Sequence, residues 1–274
     1  MLGYVAVFAL AYLTILLIAR SFEKQLIFFP DYPGRLTGDW QPAGLPVEDV
    51  WLEASDGVRL HAWWIPGPGA EFTIVALHGN AANIANRADT YRFLASLPVN
   101  VLAVEYRGYG RSEGTPSEEG LYGDAEAAYA YLVRQRAVPP ERIIPFGQSL
   151  GSAVAVDLAA KQKVGGVVLE APFPSIRAVA RRVYWFLPGL GLLARSRFDA
   201  AGKLGRVHAP LFIVHCRHDP VIAFSFGDEV YRQAREPKSF WAVEGACHEE
   251  ASRVAPEEYR ARLVAFLKSL PAGW

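Results

Sequence analysis

The sequence predicts an α/β domain: a mostly parallel sheet of about eight strands with helices on both faces, a small helical cap insert and an N-terminal transmembrane helix. Three observations carry this. Short apolar runs alternate with helical stretches through most of the chain, an uncharged apolar run opens it, and one connection is far longer than a strand-to-strand crossing needs.

The opening run, 2–19, contains no charge and no proline. As a helix it spans roughly 27 Å, close to the thickness of a bilayer core. No Lys or Arg precedes it, so a retained anchor (1–22) is favoured over a cleaved signal peptide. Arg20, Lys24 and Arg35 follow it and place the large domain on the cytoplasmic side by the positive-inside rule. Residues 23–46 read as a juxtamembrane linker. Its patch Leu26-Ile27-Phe28-Phe29-Pro30 fits either a seat at the membrane interface or a strip tucked into the domain core.

Residues 47–171 and 206–274 form the α/β core. Runs at 50–53 and 58–65 flank Asp56-Gly57, a strong hairpin turn. Runs at 73–77, 101–104, 143–146, 167–169, 211–214 and 240–243 have the length and continuous apolarity of strands buried on both faces. Helical stretches lie near 84–96, 117–136, 150–161, 225–235 and 256–269. Between Leu169 and Leu211 lie about forty residues where about two to six would suffice. That places a cap at 172–205, with Trp185 and Phe186 as substrate contacts, although core packing is the commoner role for such aromatics.

Composition removes several function classes. Lys plus Arg and Asp plus Glu are 28 each, without the basic excess of a nucleic-acid binder. Cys216 and Cys247 lack paired-ligand spacing, and His248-Glu249-Glu250 is not followed by the second histidine of a zinc hydrolase helix, so no metal is expected. The expected state of the two cysteines is two buried free thiols. Their positions beside the presumed acid and base loops leave a disulfide open, and that would imply an oxidising compartment.

The chemistry centres on Gly147-Gln148-Ser149-Leu150-Gly151. An apolar strand precedes this G-x-S-x-G string and a small-residue helix follows, the context that forces a serine into a sharp turn and exposes its hydroxyl. Serine needs a base held by a third group. Among six histidines only His248 comes after the last strand, in a loop before the final helix. Asp219, just past the strand at 211–214, is the expected acid, with Glu170 as its rival. The oxyanion donors are expected to be the backbone N–H of Leu150 and of Asn80, in the loop His78-Gly79-Asn80-Ala81.

These strings, with Tyr106-Arg107-Gly108-Tyr109-Gly110-Arg111-Ser112 and Glu170-Ala171-Pro172-Phe173, resemble the α/β-hydrolase superfamily, in particular its membrane-anchored serine esterase branch. The resemblance implies acyl transfer to Ser149 and then to water, with no cofactor. With the anchor and the aromatic cap it points to an acyl-ester or lipid substrate drawn from the bilayer. Acyl-protein thioesterases share the layout, as would a non-catalytic membrane scaffold with an idle triad. A carboxylate-nucleophile enzyme of the same fold is excluded by the serine.

Overall fold

The computed structural model of the chain describes residues 2–32, 41–249 and 251–271. Helices α1 (Leu2–Ser21) and α2 (Glu23–Ile27) precede strands β1 (Glu48–Glu53), β2 (Arg59–Ile65) and β3 (Phe72–Leu77). Next come α3 (Ala88–Ala95), β4 (Val99–Val104), α4 (Glu118–Arg134), β5 (Ile143–Gln148), α5 (Leu150–Lys161) and β6 (Val167–Glu170). The long connection holds α6 (Ile176–Val183), α7 (Leu190–Leu193) and α8 (Ala201–Leu204). Strand β7 (Leu211–Cys216), α9 (Phe224–Gln233), β8 (Lys238–Val243), α10 (Ala251–Val254) and α11 (Pro256–Ser269) complete the order.

The eight strands form one sheet in the order β1-β2-β4-β3-β5-β6-β7-β8. β1 and β2 are an antiparallel hairpin, and β2 pairs antiparallel with β4. From β4 to β8 every pairing is parallel. Alternate residues of each strand serve opposite faces, and this shows in the packing. Val75 and Leu77 of β3 join a core with residues of α4, α5 and α9. Ile74 and Ala76 join a second core with residues of α3 and α11. Burial on both faces explains why β3 is apolar without alternation. The expected strands are all present. β4 and β8 begin two residues earlier than the apolar runs suggest, because Val99-Asn100 and Lys238-Ser239 complete the parallel registers.

The cap segment has two parts. Phe173, Phe198, Ala200 and Leu204 are buried in the core shared with α4 and α5, so the ends of 172–205 belong to the domain body. What projects is α6, α7 and the turn between them. The segment 23–46 also divides. Ile27 and Phe28 are core residues, while Leu26 and Phe29 remain partly exposed. Phe29 forms a parallel bridge with Ala81, its N–H donates to the Asn80 carbonyl, and its own carbonyl accepts from the Ala82 N–H. The start of the expected linker is thus fastened to the loop after β3, its end returns to the fold at Leu45, which is buried in the second core, and 33–40, with Arg35, lie outside the described residues.

Cys216 and Cys247, expected as free thiols, are instead joined as a disulfide with Cα atoms 5.6 Å apart. The parallel register sets Cys216 across from Val243, four residues before Cys247. The turn after β8 then returns the chain to its neighbour.

Candidate active site

Ser149 sits between β5 and α5 with φ 49° and ψ −115°, a strained conformation for a residue with a side chain. Its N–H donates to the Glu170 carbonyl at 2.9 Å, which fixes the turn to β6. The two flanking glycines are a steric requirement. A side chain at Gly147 would collide with the Gly151 carbonyl, and one at Gly151 with the Leu77 carbonyl. Helix α5 can therefore begin tight against β3, with the serine raised between them.

Asp219 follows β7. Its Oδ1 accepts from the N–H groups of Val221 (2.7 Å) and Ile222 (2.8 Å), and its Oδ2 lies 2.8 Å from Nδ1 of His248. Burial opposes ionisation of this carboxylate, but bonds to His215 and His248 and the Ile222 N–H outweigh it and hold its pKa below the usual range. Burial likewise opposes protonation of His248. The Asp219 bond and the carboxylates of Glu249 and Glu170 overcome that and raise its pKa.

Glu170 has a different task from the one its position suggested. Its Oε1 accepts from the Ala251 N–H at 3.0 Å and its Oε2 from Nε2 of Gln148 at 2.9 Å. The same Gln148 nitrogen lies 3.2 Å from the Glu249 carbonyl. The residue before the serine thus suspends the loop that carries His248. Burial pushes the Glu170 carboxyl up to about 7. Arg87 adds a second fastening, donating to the Glu249 carboxylate at 2.9 Å and to the Ala81 carbonyl at 3.0 Å. Neither Gln148 nor Arg87 carries a sequence signal for this role, since both reach Glu249 from far along the chain and their other partners include a backbone carbonyl and a buried carboxylate.

On the other side stands the His78–Ala81 loop. The Asn80 carbonyl accepts from Tyr109 Oη at 2.8 Å, and its side-chain amide donates to the Ile27 carbonyl at 2.8 Å. Asn80, Ser149 and Leu150 together line a cavity of about 330 Å³. Its other walls are Leu26, Ile27 and Phe29, the α6 residues Ile176, Val179, Ala180 and Val183, and Ala19 and Arg20 at the end of α1. The lining is overwhelmingly apolar. Trp185 and Phe186 do not line it. They are 77% and 59% exposed, and Tyr184 contributes to the wall in their place. Among the described residues no group of three His, Cys, Asp or Glu side chains is arranged to hold a metal ion.

A strand–turn–helix serine after β5 and a bonded Asp–His pair after β7 and β8, all at the carboxyl edge of one sheet, define a class, and comparison with known proteins agrees. Residues 74–267 match the model of the alpha/beta hydrolase family. The chain is 35% identical over 252 residues to protein Rv2307c of Mycobacterium tuberculosis, covering 91% of this chain and 88% of that one. It is 35% identical over 227 residues to the alpha/beta hydrolase domain-containing protein WAV2 of Arabidopsis thaliana, covering 74% and 72%. The esterase Pf2001 of Pyrococcus furiosus superposes with a TM-score of 0.73 at 23% identity, covering 89% and 99%, a likeness of fold. The chain belongs to the alpha/beta hydrolase family.

Proposed function

We propose that the protein is a membrane-anchored serine hydrolase that cleaves carboxylic esters of fatty acyl groups through an acyl-enzyme on Ser149. The observation that carries this is the placement of Ser149 on a strained turn that faces an apolar cavity, with the bonded Asp219–His248 pair in the loops after β7 and β8. His248 takes the serine proton through Nε2 as the hydroxyl attacks the acyl carbon, then returns it to the leaving alcohol. Asp219 holds the imidazole in the tautomer with the proton on Nδ1 and stabilises its charged form. The oxyanion is received by the backbone N–H groups of Asn80 and Leu150. In the second half, water attacks the acyl carbon, His248 takes its proton, and Ser149 leaves with that proton restored.

α1 supports the anchor reading. Its window Tyr4–Ser21 is long and apolar enough to cross a bilayer, and only 6% of it is buried against the domain. The pairing of Cys216 with Cys247 favours an oxidising compartment for the catalytic domain. This opposes the cytoplasmic placement drawn from Arg20, Lys24 and Arg35, and the redox state of the thiols in cells separates the two faces.

The test is hydrolysis of p-nitrophenyl esters from acetate to palmitate, comparing the wild type with Ser149→Ala. Serine-dependent turnover that rises with acyl length is expected. Turnover that survives Ser149→Ala overturns the acyl-enzyme, and an optimum at acetate overturns the fatty acyl substrate.

A further inference from the structure

The cap is tied to the anchor well inside the span of the helix. Tyr12 Oη donates to the Pro188 carbonyl at 2.5 Å. Among the described residues of α1, Leu16 is the one strongly buried side chain, and it lies against Gly189 in the turn before α7. A further fastening sits at the head of α2, where the Glu23 carboxylate accepts from the N–H groups of Arg195 (2.9 Å) and Ser196 (2.7 Å). Three contacts along one line fix the level of the cap relative to α1.

That level has a consequence. Tyr12 stands nine residues before Ser21, the last residue of α1. At about 1.5 Å per residue this is roughly 13 Å along the axis, and a leaflet's share of the hydrocarbon core is about 15 Å. If α1 spans the bilayer up to Ser21, the Pro188 turn cannot stand in water. The residues near that turn suit the alternative. Trp185 and Phe186, which do not line the cavity, are exposed at 77% and 59%. Arg181 and Arg182, at the end of α6, are exposed too. Between its ends the cap segment carries five arginines and one lysine against one aspartate. Exposed aromatics next to a basic helix end are the chemistry of a segment seated at the boundary between acyl chains and anionic headgroups.

We infer that the turn from Tyr184 to Leu193 is embedded in the leaflet beside α1, and that the catalytic cavity takes its acyl chain sideways from that leaflet. This rests on the anchored-esterase reading above. The cavity is walled by Ala19 and Arg20 of α1 and by Val183 at the end of α6 and Tyr184 just after it, so it runs from Ser149 to the two elements that meet the membrane. The partner of the exposed cap face is therefore the lipid bilayer itself, and the substrate is an acyl lipid already inserted in it.

The full-length chain in phosphatidylcholine vesicles tests this. Trp185→Cys and, as a reference, Glu257→Cys are labelled with an environment-sensitive fluorophore. Glu257 is exposed on α11, which packs on the opposite face of the sheet. Quenching by lipids with acyl-chain nitroxides should be severalfold stronger at position 185 than at 257. Equal quenching in chains that float with the vesicles overturns the embedding while leaving the anchor intact. Chains that do not float overturn the anchor and the embedding together. A kinetic arm addresses loading. The double substitution Trp185→Asp, Phe186→Asp should slow hydrolysis of a vesicle-embedded fatty acyl ester about tenfold and leave soluble p-nitrophenyl acetate unchanged. Equal effects on both substrates overturn sideways loading. Absence of any serine-dependent ester hydrolysis overturns the esterase reading and with it the loading, and quenching still decides the embedding.

Discussion

Nδ1 of His248 lies 2.8 Å from Oδ2 of Asp219, whose other oxygen is held by the N–H groups of Val221 and Ile222. A carboxylate so fixed can only accept, so the imidazole carries its proton on Nδ1 and leaves Nε2 free of one. Asp219→Asn replaces an acceptor with a group that can donate, which permits the wrong tautomer. Turnover should fall by about 10³–10⁴. Glu170→Gln should keep most activity, because Glu170 supports the loop of His248 through Gln148 and the Ala251 N–H, and the amide oxygen of a glutamine can still accept there. Steady-state kinetics on one ester decides, and the reverse ranking reassigns the acid.

The pH profile follows from the charges around His248. Its raised pKa means that the protonated form, which cannot act as a base, persists to higher pH than for an ordinary imidazole. kcat/KM should therefore climb with pH along a limb displaced upward. Glu249 is one of the carboxylates that raise it, so Glu249→Gln should move that limb to lower pH. A limb that stays in place would remove Glu249 from the electrostatics of the site.

The disulfide should be measurable as both mass and stability. The oxidised chain is lighter than the reduced one by two hydrogen atoms, and its cysteines resist alkylation until a reductant is added. Because the bond joins residues 31 apart, opening it with Cys216→Ala and Cys247→Ala should cost about 2–4 kcal/mol in denaturant unfolding. The same variant should lose turnover, since the bond also ties the loop of Asp219 to that of His248. Unchanged stability would mean that the thiols are free.

Acyl length should be set by α6. Ala180 lines the cavity, and Ala180→Trp places a large ring there. The optimum in the p-nitrophenyl ester series should shift to shorter chains, with acetate turnover changed less than about twofold. An unmoved optimum would place the acyl chain elsewhere.

How far the sequence revealed all this depended on the scale of the cause. The parallel strands β3 to β7 were legible because burial on both faces leaves continuous apolar runs. The serine turn was legible because its flanking glycines answer a local steric demand. The patch 26–29 resisted because neighbouring residues go to different places, Ile27 and Phe28 into the core and Leu26 and Phe29 toward the cavity. The aromatic pair at 185–186 was misplaced as cavity lining because the helical phase of α6, which points Val179, Ala180 and Val183 inward, ends before it reaches them. Gln148 and Arg87 had no sequence signature at all. Their partners are brought to them by the folded chain.

The tie between residues 23–29 and the loop after β3 matters to anyone preparing a fragment without α1. The obvious boundary, just ahead of the first strand, discards the carboxylate of Glu23 that holds the cap, the Ile27 carbonyl that anchors Asn80, and the bridge from Phe29 to Ala81. Such a fragment would keep the sheet and its serine but lose the cavity wall made by Glu23, Leu26, Ile27 and Phe29, and an activity screen run on it would under-report the enzyme. A fragment designed to start at Glu23 retains all three ties.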